Sequence, residues 1–249
     1  MRKLIMPLLI SLLTANTSLA QSWRSAKLEV FGGITAFQYF GDIGGASGDV
    51  NFLGLLDIDL LSTRPGISLG ARYHLSKPIQ VKANFTSGII AKSDANSRNE
   101  NRGFAFRTLI NEFSIMGEYY IIPESDENYF YNIMQVRGGL RHFRQPFSLY
   151  ATFGFGGVHY NVTPKDNLAS SPHFSQSSSL GFFVPVGLGF KYAIMPKISL
   201  GIELTGRLTN TNELDGYESP YGNYNDYYHS LLIKVNYKIT TNKRPRFQR

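Results

Sequence analysis

The sequence contains no cysteine. The chain can therefore form neither a disulfide framework nor a thiolate metal site, and a lipidated N-terminal cysteine is excluded. Long apolar runs are also missing, since no stretch after residue 20 reaches the roughly 20 apolar residues that a spanning helix needs. No long Pro-rich or Ser-rich linker and no internal repeat divides the chain. These absences favour a single domain without a spanning helix.

The first twenty residues have the pattern of a secretory signal peptide. Arg2 and Lys3 precede the apolar run of residues 4–13, and a small-residue site at residues 18–20 ends just before Gln21. An uncleaved anchor is the alternative, but a run of about ten residues is too short to cross a bilayer. We expect residues 1–20 to be removed and residues 21–249 to be exported to the periplasm, the outer membrane or the medium.

The composition favours a membrane β-barrel over a soluble β-protein. Aromatic residues make up 14% of the chain, with 15 Tyr and 18 Phe, and there are 24 Gly. Such residues form interfacial girdles and strands that twist and close. The formal net charge is +7, which becomes about +5 when Arg2 and Lys3 leave with the signal. These charges are scattered through the predicted strands and form no single patch, so a nucleic-acid partner is not expected.

Apolar and polar residues alternate with a period of two in eight segments, which predicts strands. In the clearest one, Ile202 and Leu204 share an apolar face with their alternate neighbours, whereas Glu203 and Arg207 lie on the other face. The segments cover residues 28–39, 67–75, 79–86, 113–121, 147–162, 180–192, 198–209 and 228–239. Most have ten or more residues, which suits the roughly 9–11 residues of a tilted membrane strand. A soluble sandwich or lipocalin also alternates, so alternation alone does not say which face is inside.

The lengths of the connections favour the membrane barrel. Residues 76–78 and 195–197 are tight turns, whereas residues 41–64, 93–103, 163–178 and 210–226 are long and polar. Short periplasmic turns and long outer loops are the plan of an outer-membrane barrel. We therefore predict an all-β fold, an eight-stranded antiparallel transmembrane β-barrel. Residues 123–145 are too long for a periplasmic turn, and we interpret residues 129–140 within them as extensions of neighbouring strands or a small periplasmic excursion.

The inward face of this barrel carries charges of both signs. The predicted lumen charge network consists of Arg72, Lys82, Glu112, Glu118, Lys191, Glu203, Arg207 and Lys234, with Lys238 on the same face. The interior of an eight-stranded barrel is just wide enough to be filled by side chains. An unpaired buried charge costs several kcal/mol, so we expect paired charges that plug the lumen. A wide diffusion pore is not expected, although "porin" is often attached to such folds.

No segment has a strong catalytic pattern. The five histidines are at positions 74, 142, 159, 173 and 229, and no phosphate loop, metal-spaced His cluster or nucleophile elbow is present. Of the five, His159 is most like a catalytic residue, because it lies near the outer end of a strand. The residue two positions further on, where a nucleophile would be expected, is however Asn161. We expect no catalytic residue, cofactor, metal or small-molecule substrate. Asp42, beside glycine, is interpreted as a turn residue, with a contact role as the alternative.

Several segments resemble the PorG-like β-barrel proteins of Bacteroidota. They lie at residues 29–33, 39–43, 64–66, 71–73, 102–108, 111–114, 118–120 and 225–228. The resemblance implies a non-catalytic component of the type IX protein secretion machinery, or a paralogue, in which the barrel anchors a periplasmic assembly. A small lipid-active barrel enzyme of the acyl hydrolase type and a general OmpA-like or OmpW-like barrel are the alternatives. Outer-membrane lipid and periplasmic secretion proteins are then the expected partners.

An anchor needs a periplasmic contact surface, and two segments could supply it. Aromatic and Arg residues dominate protein interfaces, and the candidates are Tyr129, Phe130, Tyr131, Arg141, Phe143 and Arg144. The alternative is that these residues continue the periplasmic girdle. The basic run at residues 243–249 is either a solvated tail or a handle for an acidic partner or peptidoglycan.

Overall fold

The chain folds into a closed barrel of eight antiparallel strands. The computed structural model describes residues 27–41, 43–44, 62–95, 97, 99–123, 147–172, 174, 178–195, 197–217 and 226–239. The strands are β1 (Leu28–Phe40), β2 (Arg64–His74), β3 (Ile79–Ser93), β4 (Phe104–Ile122), β5 (Phe147–Asp166), β6 (Ser178–Ala193), β7 (Ile198–Thr209) and β8 (Tyr227–Ile239). Each strand pairs with the next in chain order, and β1 pairs with β8 to close the sheet. The predicted fold class is confirmed.

The apolar face of the barrel points outward and the polar face points inward. Ile34, Phe155 and Leu180 are 67%, 69% and 74% exposed on the outside. In β7, Ile202 is 48% exposed whereas its neighbour Glu203 is only 3% exposed. A soluble barrel has the opposite arrangement, because water would cover the outside. The structure thus shows that the polar face is inside, which alternation alone did not say.

The described tight turns lie at one end of the barrel and four long loops lie at the other, but the long connection between β4 and β5 shares the end of the turns. The β2–β3 and β6–β7 connections close with backbone hydrogen bonds from Leu75 N to Ile79 O and from Met195 N to Ile198 O, at 3.2 and 2.9 Å. We call this the turn end and the opposite end the loop end. β4 and β5 are the longest strands, at 19 and 20 residues, and they extend furthest at the loop end. The segment 124–146, the signal-peptide residues and the basic tail lie outside the described residues.

The described parts of the loops contain two short 3₁₀ helices, Glu100–Arg102 and Asn167–Ser170. In the part of the chain that the structure describes, no helix is long and apolar enough to span a bilayer.

Two local features shape the barrel wall. A Cβ atom added to Gly33 would lie 2.1 Å from the carbonyl oxygen of Ile233, so only glycine allows β1 to approach β8 this closely. Within β6, Pro185 lacks the N–H that a ladder needs. Pairing with β5 is accordingly interrupted between the Phe153–Val186 and Gly156–Phe183 pairs.

Candidate functional site

A network of buried ion pairs fills the half of the interior nearest the turn end. Its members, which we call the lower network, are Glu29, Arg72, Lys82, Glu118, Lys191, Glu203 and Lys234. Each is at most 3% exposed. They reach this space because each occupies an inward position on its strand, with an apolar residue on either side that faces outward. The network therefore follows directly from the alternation of the sequence.

Arg72 links two carboxylates across the lower network. Its Nε lies 2.5 Å from the Oε2 of Glu118, and its Nη1 donates to Glu29. The other oxygen of Glu29 accepts from the Nζ of Lys191 at 2.6 Å. These bonds join β1, β2, β4 and β6, so the network ties together opposite walls of the barrel.

Glu203 is the second centre of the lower network. It accepts from Lys82 and Lys234, each at 2.6 Å, and from the hydroxyl of Tyr150 at 2.7 Å. The Nζ of Lys234 also lies 4.6 Å from the centre of the Phe31 ring, close enough for a cation–π contact. Each buried carboxylate of the lower network accepts from several donors. These charge-assisted hydrogen bonds offset the free-energy cost of removing the charges from water.

A smaller polar network lies nearer the loop end. The Nε of Arg207 donates to Glu112 at 2.9 Å, and the hydroxyl of Tyr228 donates to the same carboxylate at 2.7 Å. The Nη1 of Arg207 also donates to Ser230 at 2.6 Å. Between this pair and the lower network is a polar cavity that is only about the size of one water molecule.

An apolar cluster closes the interior at the loop end. Three of its members, Ile43, Leu168 and Leu214, come from loops and are fully buried. The whole cluster consists of Phe37, Tyr39, Ile43, Ile90, Phe106, Ile110, Val158, Tyr160, Val162, Leu168, Phe183, Leu214, Tyr217 and Tyr228. The loops thus fold into the mouth of the barrel, and we call this region the cap.

Two aspartates fix the loops of the cap. Asp226 accepts from the hydroxyl of Tyr39 at 2.6 Å and from the backbone N–H of Leu214 at 3.0 Å. Asp94 accepts from Arg102 at 2.8 Å and from the backbone N–H of Gly44 at 2.9 Å. Two of these contacts, Tyr39–Asp226 and Gly44–Asp94, join segments that are far apart in the chain, and the other two brace a single loop each.

Arg102 is held by both charge and aromatic rings. Its guanidinium lies 4.7 Å from the centre of the Phe104 ring and 4.9 Å from that of Tyr217. Partial burial disfavours its charge, but the hydrogen bonds and the charge of Asp94 outweigh burial and raise the pKa of Arg102 above its usual value. Arg102 therefore stays cationic and locks the cap at any physiological pH.

All eight residues predicted for the lumen lie inside the barrel, and each is bonded to another member of the two networks. Sequence reasoning missed Glu29, which is completely buried and bonded to two cations. It lies between the outward residues Leu28 and Val30, but the glycines that follow in β1 obscure the alternation. His74 also faces inward, with its Nε2 3.9 Å from Glu29.

The remaining predicted sites fall into two groups. Tyr129, Phe130, Tyr131, Arg141, Phe143, Arg144 and Asp42 lie outside the described residues. His159 lies on the outer surface, and its Nε2 is 3.3 Å from the Oγ of Ser178 on β6. Sequence reasoning missed Ser178 because it comes from the neighbouring strand. Within the described residues, no cluster of His, Asp or Glu could hold a metal ion.

Comparison with known proteins identifies the architecture. The family model of the outer membrane protein beta-barrel domain matches residues 6–238. None of the curated proteins is similar in sequence.

Several solved barrels resemble this chain in outline. Ail of Yersinia pestis is 12% identical, covers 86% of this chain and 99% of its own, and has a TM-score of 0.45. Neisserial surface protein A is 11% identical; the match covers 85% of this chain and 97% of that protein, with a TM-score of 0.45. The N-terminal barrel of Pseudomonas aeruginosa OprF is 13% identical; the match covers 85% of this chain and 99% of that barrel, with a TM-score of 0.42. Similarity this low says nothing of function.

Proposed function

The chain belongs to the outer membrane protein beta-barrel domain family and lies in the outer membrane, and from this premise we propose that it is a non-catalytic anchor of a type IX protein secretion complex. In this role the barrel fixes the complex in the membrane, and its periplasmic segments bind the other subunits. The turn end faces the periplasm, as is usual for outer-membrane barrels.

The observation that carries the proposal is the filled interior. The lower network, the Arg207–Glu112 pair and the cap follow one another from the turn end to the loop end. A barrel without a conduit must act through its surfaces. An anchor does so, whereas a diffusion channel does not.

The resemblance to PorG-like proteins supports the specific role. The segments that carry it contribute Glu29, Arg72, Glu112 and Glu118 to the interior networks. They also contribute Tyr39, Arg102 and Asp226 to the cap. The resembling segments thus supply residues that close the barrel as well as outward residues such as Phe113 and Tyr119.

The docking surface follows from the area available at the turn end. A specific interface buries about 800 Å² on each partner, and the tight turns at residues 76–78 and 195–197 are too short to supply that area. Segment 123–145, with Tyr131 and Arg144, and residues 240–249 are other parts of the chain that follow strands ending at the turn end. We therefore assign docking to them.

Affinity purification tests this proposal. We expect subunits of the type IX complex, identified by mass spectrometry, to co-purify with the intact protein. They should be lost or greatly reduced with Tyr131→Ala combined with Arg144→Ala, or after deletion of residues 240–249. Lys77→Ala, in a tight turn, is the matched control. If the intact protein captures no such subunit, the anchor function is wrong; if every variant captures them equally, the docking surface is wrong.

The Ser178–His159 pair favours a second candidate, a lipid-active acyl hydrolase. A His that accepts the proton of a serine is the minimum for a nucleophile–base pair. No carboxylate among the described residues is hydrogen-bonded to His159, and its cross-strand neighbour is Asn111. Lipid analysis of cells expressing Ser178→Ala or His159→Ala distinguishes the two functions, with Ser179→Ala as the control. A change in acylation that requires both Ser178 and His159 would replace the anchor proposal.

A further inference from the structure

The outward residues of β4, β5 and β6 form aligned rows, because the strand register places them side by side. In one of these rows, Gly157 lies between Phe113 and Phe182, which are 56% and 70% exposed. The missing side chain leaves a notch between two protruding rings. A Cβ atom at Gly157 would meet only a backbone oxygen, at 3.8 Å.

The next two rows toward the loop end are mixed in character. His159 lies between Asn111 and Leu180, and in the row above it Asn161 lies between Leu109 and Ser178. Apolar and hydrogen-bonding side chains alternate in these two rows, on the same outer face as the exposed rings of Phe113 and Phe182. The apolar outer band of a membrane barrel ends where acyl chains meet headgroups, so the change from the apolar Phe113–Phe182 row to these mixed rows is expected at that boundary.

Two cations lie directly above this boundary. Arg107 pairs with Thr163, and Lys165 pairs with Ala105, so the two side chains emerge from neighbouring strands on the same outer face. Both are exposed. In the described part of the chain neither makes an ion pair or a side-chain hydrogen bond, whereas the cations of the interior networks are bonded to carboxylates.

We propose that this face binds one phosphate-bearing lipid of the outer leaflet. The phosphate is held by Arg107 and Lys165, the polar linkage lies along His159 and Asn161, and an acyl chain occupies the notch at Gly157. Cationic side chains at a membrane surface attract anionic headgroups, and their apolar stems suit the interface. A lipid is the occupant, and not a free anion, because the cations continue directly into the lipid-facing apolar surface. The site is independent of the anchor function.

Native mass spectrometry of the purified protein tests the proposal. The probe is phosphorylated lipid A, and the comparison is lipid A of the same acyl composition after dephosphorylation. We expect one tightly retained phosphorylated molecule per barrel. Arg107→Gln combined with Lys165→Gln should weaken its binding at least about tenfold. Lys77→Gln combined with Lys197→Gln removes two cations at the turn end and should leave binding unchanged.

A second pair of variants tests the notch without changing charge. Gly157→Leu should weaken lipid binding, whereas Gly117→Leu should not, although both glycines face outward with open space around the added Cβ. The proposal is overturned if the Arg107 and Lys165 variant binds as well as the wild type, or if the dephosphorylated lipid binds equally. It is also overturned if Gly157→Leu has no effect, or if inorganic phosphate at the same concentration as the lipid displaces it, since the site would then hold a free anion.

Discussion

The Nε of Arg207 lies 2.9 Å from the Oε2 of Glu112, and both side chains are buried inside the barrel. Removing one member of such a pair leaves an uncompensated charge in a poorly solvated space. We expect Arg207→Met to lower the free energy of unfolding by about 3 kcal/mol. Urea unfolding in lipid vesicles measures this loss.

The matched variant removes both charges of this pair. Arg207→Met combined with Glu112→Gln should be more stable than Arg207→Met alone, because the amide that replaces the carboxylate of Glu112 carries no charge and its oxygen can still accept from Tyr228. Equal stability of the two variants would show that the contributions of Arg207 and Glu112 to the free energy of unfolding are not coupled.

Loss of Arg102 should loosen the cap while leaving the barrel folded. Arg102 orients Asp94, which also accepts from the backbone of Gly44 and Phe104. Since the side chain of Arg102 is 23% exposed, we expect Arg102→Ala to cost less than about 1 kcal/mol of global stability. Limited proteolysis of the loops should become faster than in the Lys197→Ala control. Unchanged cleavage would mean that Arg102 does not hold the loops.

Closure of the barrel depends on Gly33. A side chain there would collide with the backbone of Ile233, whereas Gly117 faces open space on the outer surface. We expect Gly33→Val to lower stability by at least about 2 kcal/mol and Gly117→Val to have little effect. The heat-dependent mobility shift on gels reports the folded fraction. Normal folding of Gly33→Val would show that β1 can move away from β8.

The sequence predicted the barrel well because alternation is local information. Ile202 and Glu203 are adjacent, and period two alone places them on opposite faces. Long loops and short turns then indicated which face is inside, and the structure confirmed it. The charged residues of the interior could be named from the same alternation.

The pairing of these residues could not be predicted, because it depends on how the strands are offset around the barrel. Lys191 and Glu29 are 162 positions apart and lie on strands that are not neighbours. Ser178 meets His159 only because β5 and β6 pair across a long loop. The cap was also missed, since Ile43 and Leu214 lie in polar segments whose folding into the mouth has no periodic signal.

Conductance in planar bilayers tests the closed interior most directly. An open porin is first used to find the insertion density at which single channels are readily counted. At that density the purified protein should produce no discrete current steps. The lower network and the cap both lie across the path of any solute, and the cavity between the networks is only about the size of one water molecule. Frequent steps of uniform, porin-like conductance from the wild-type protein would contradict the account.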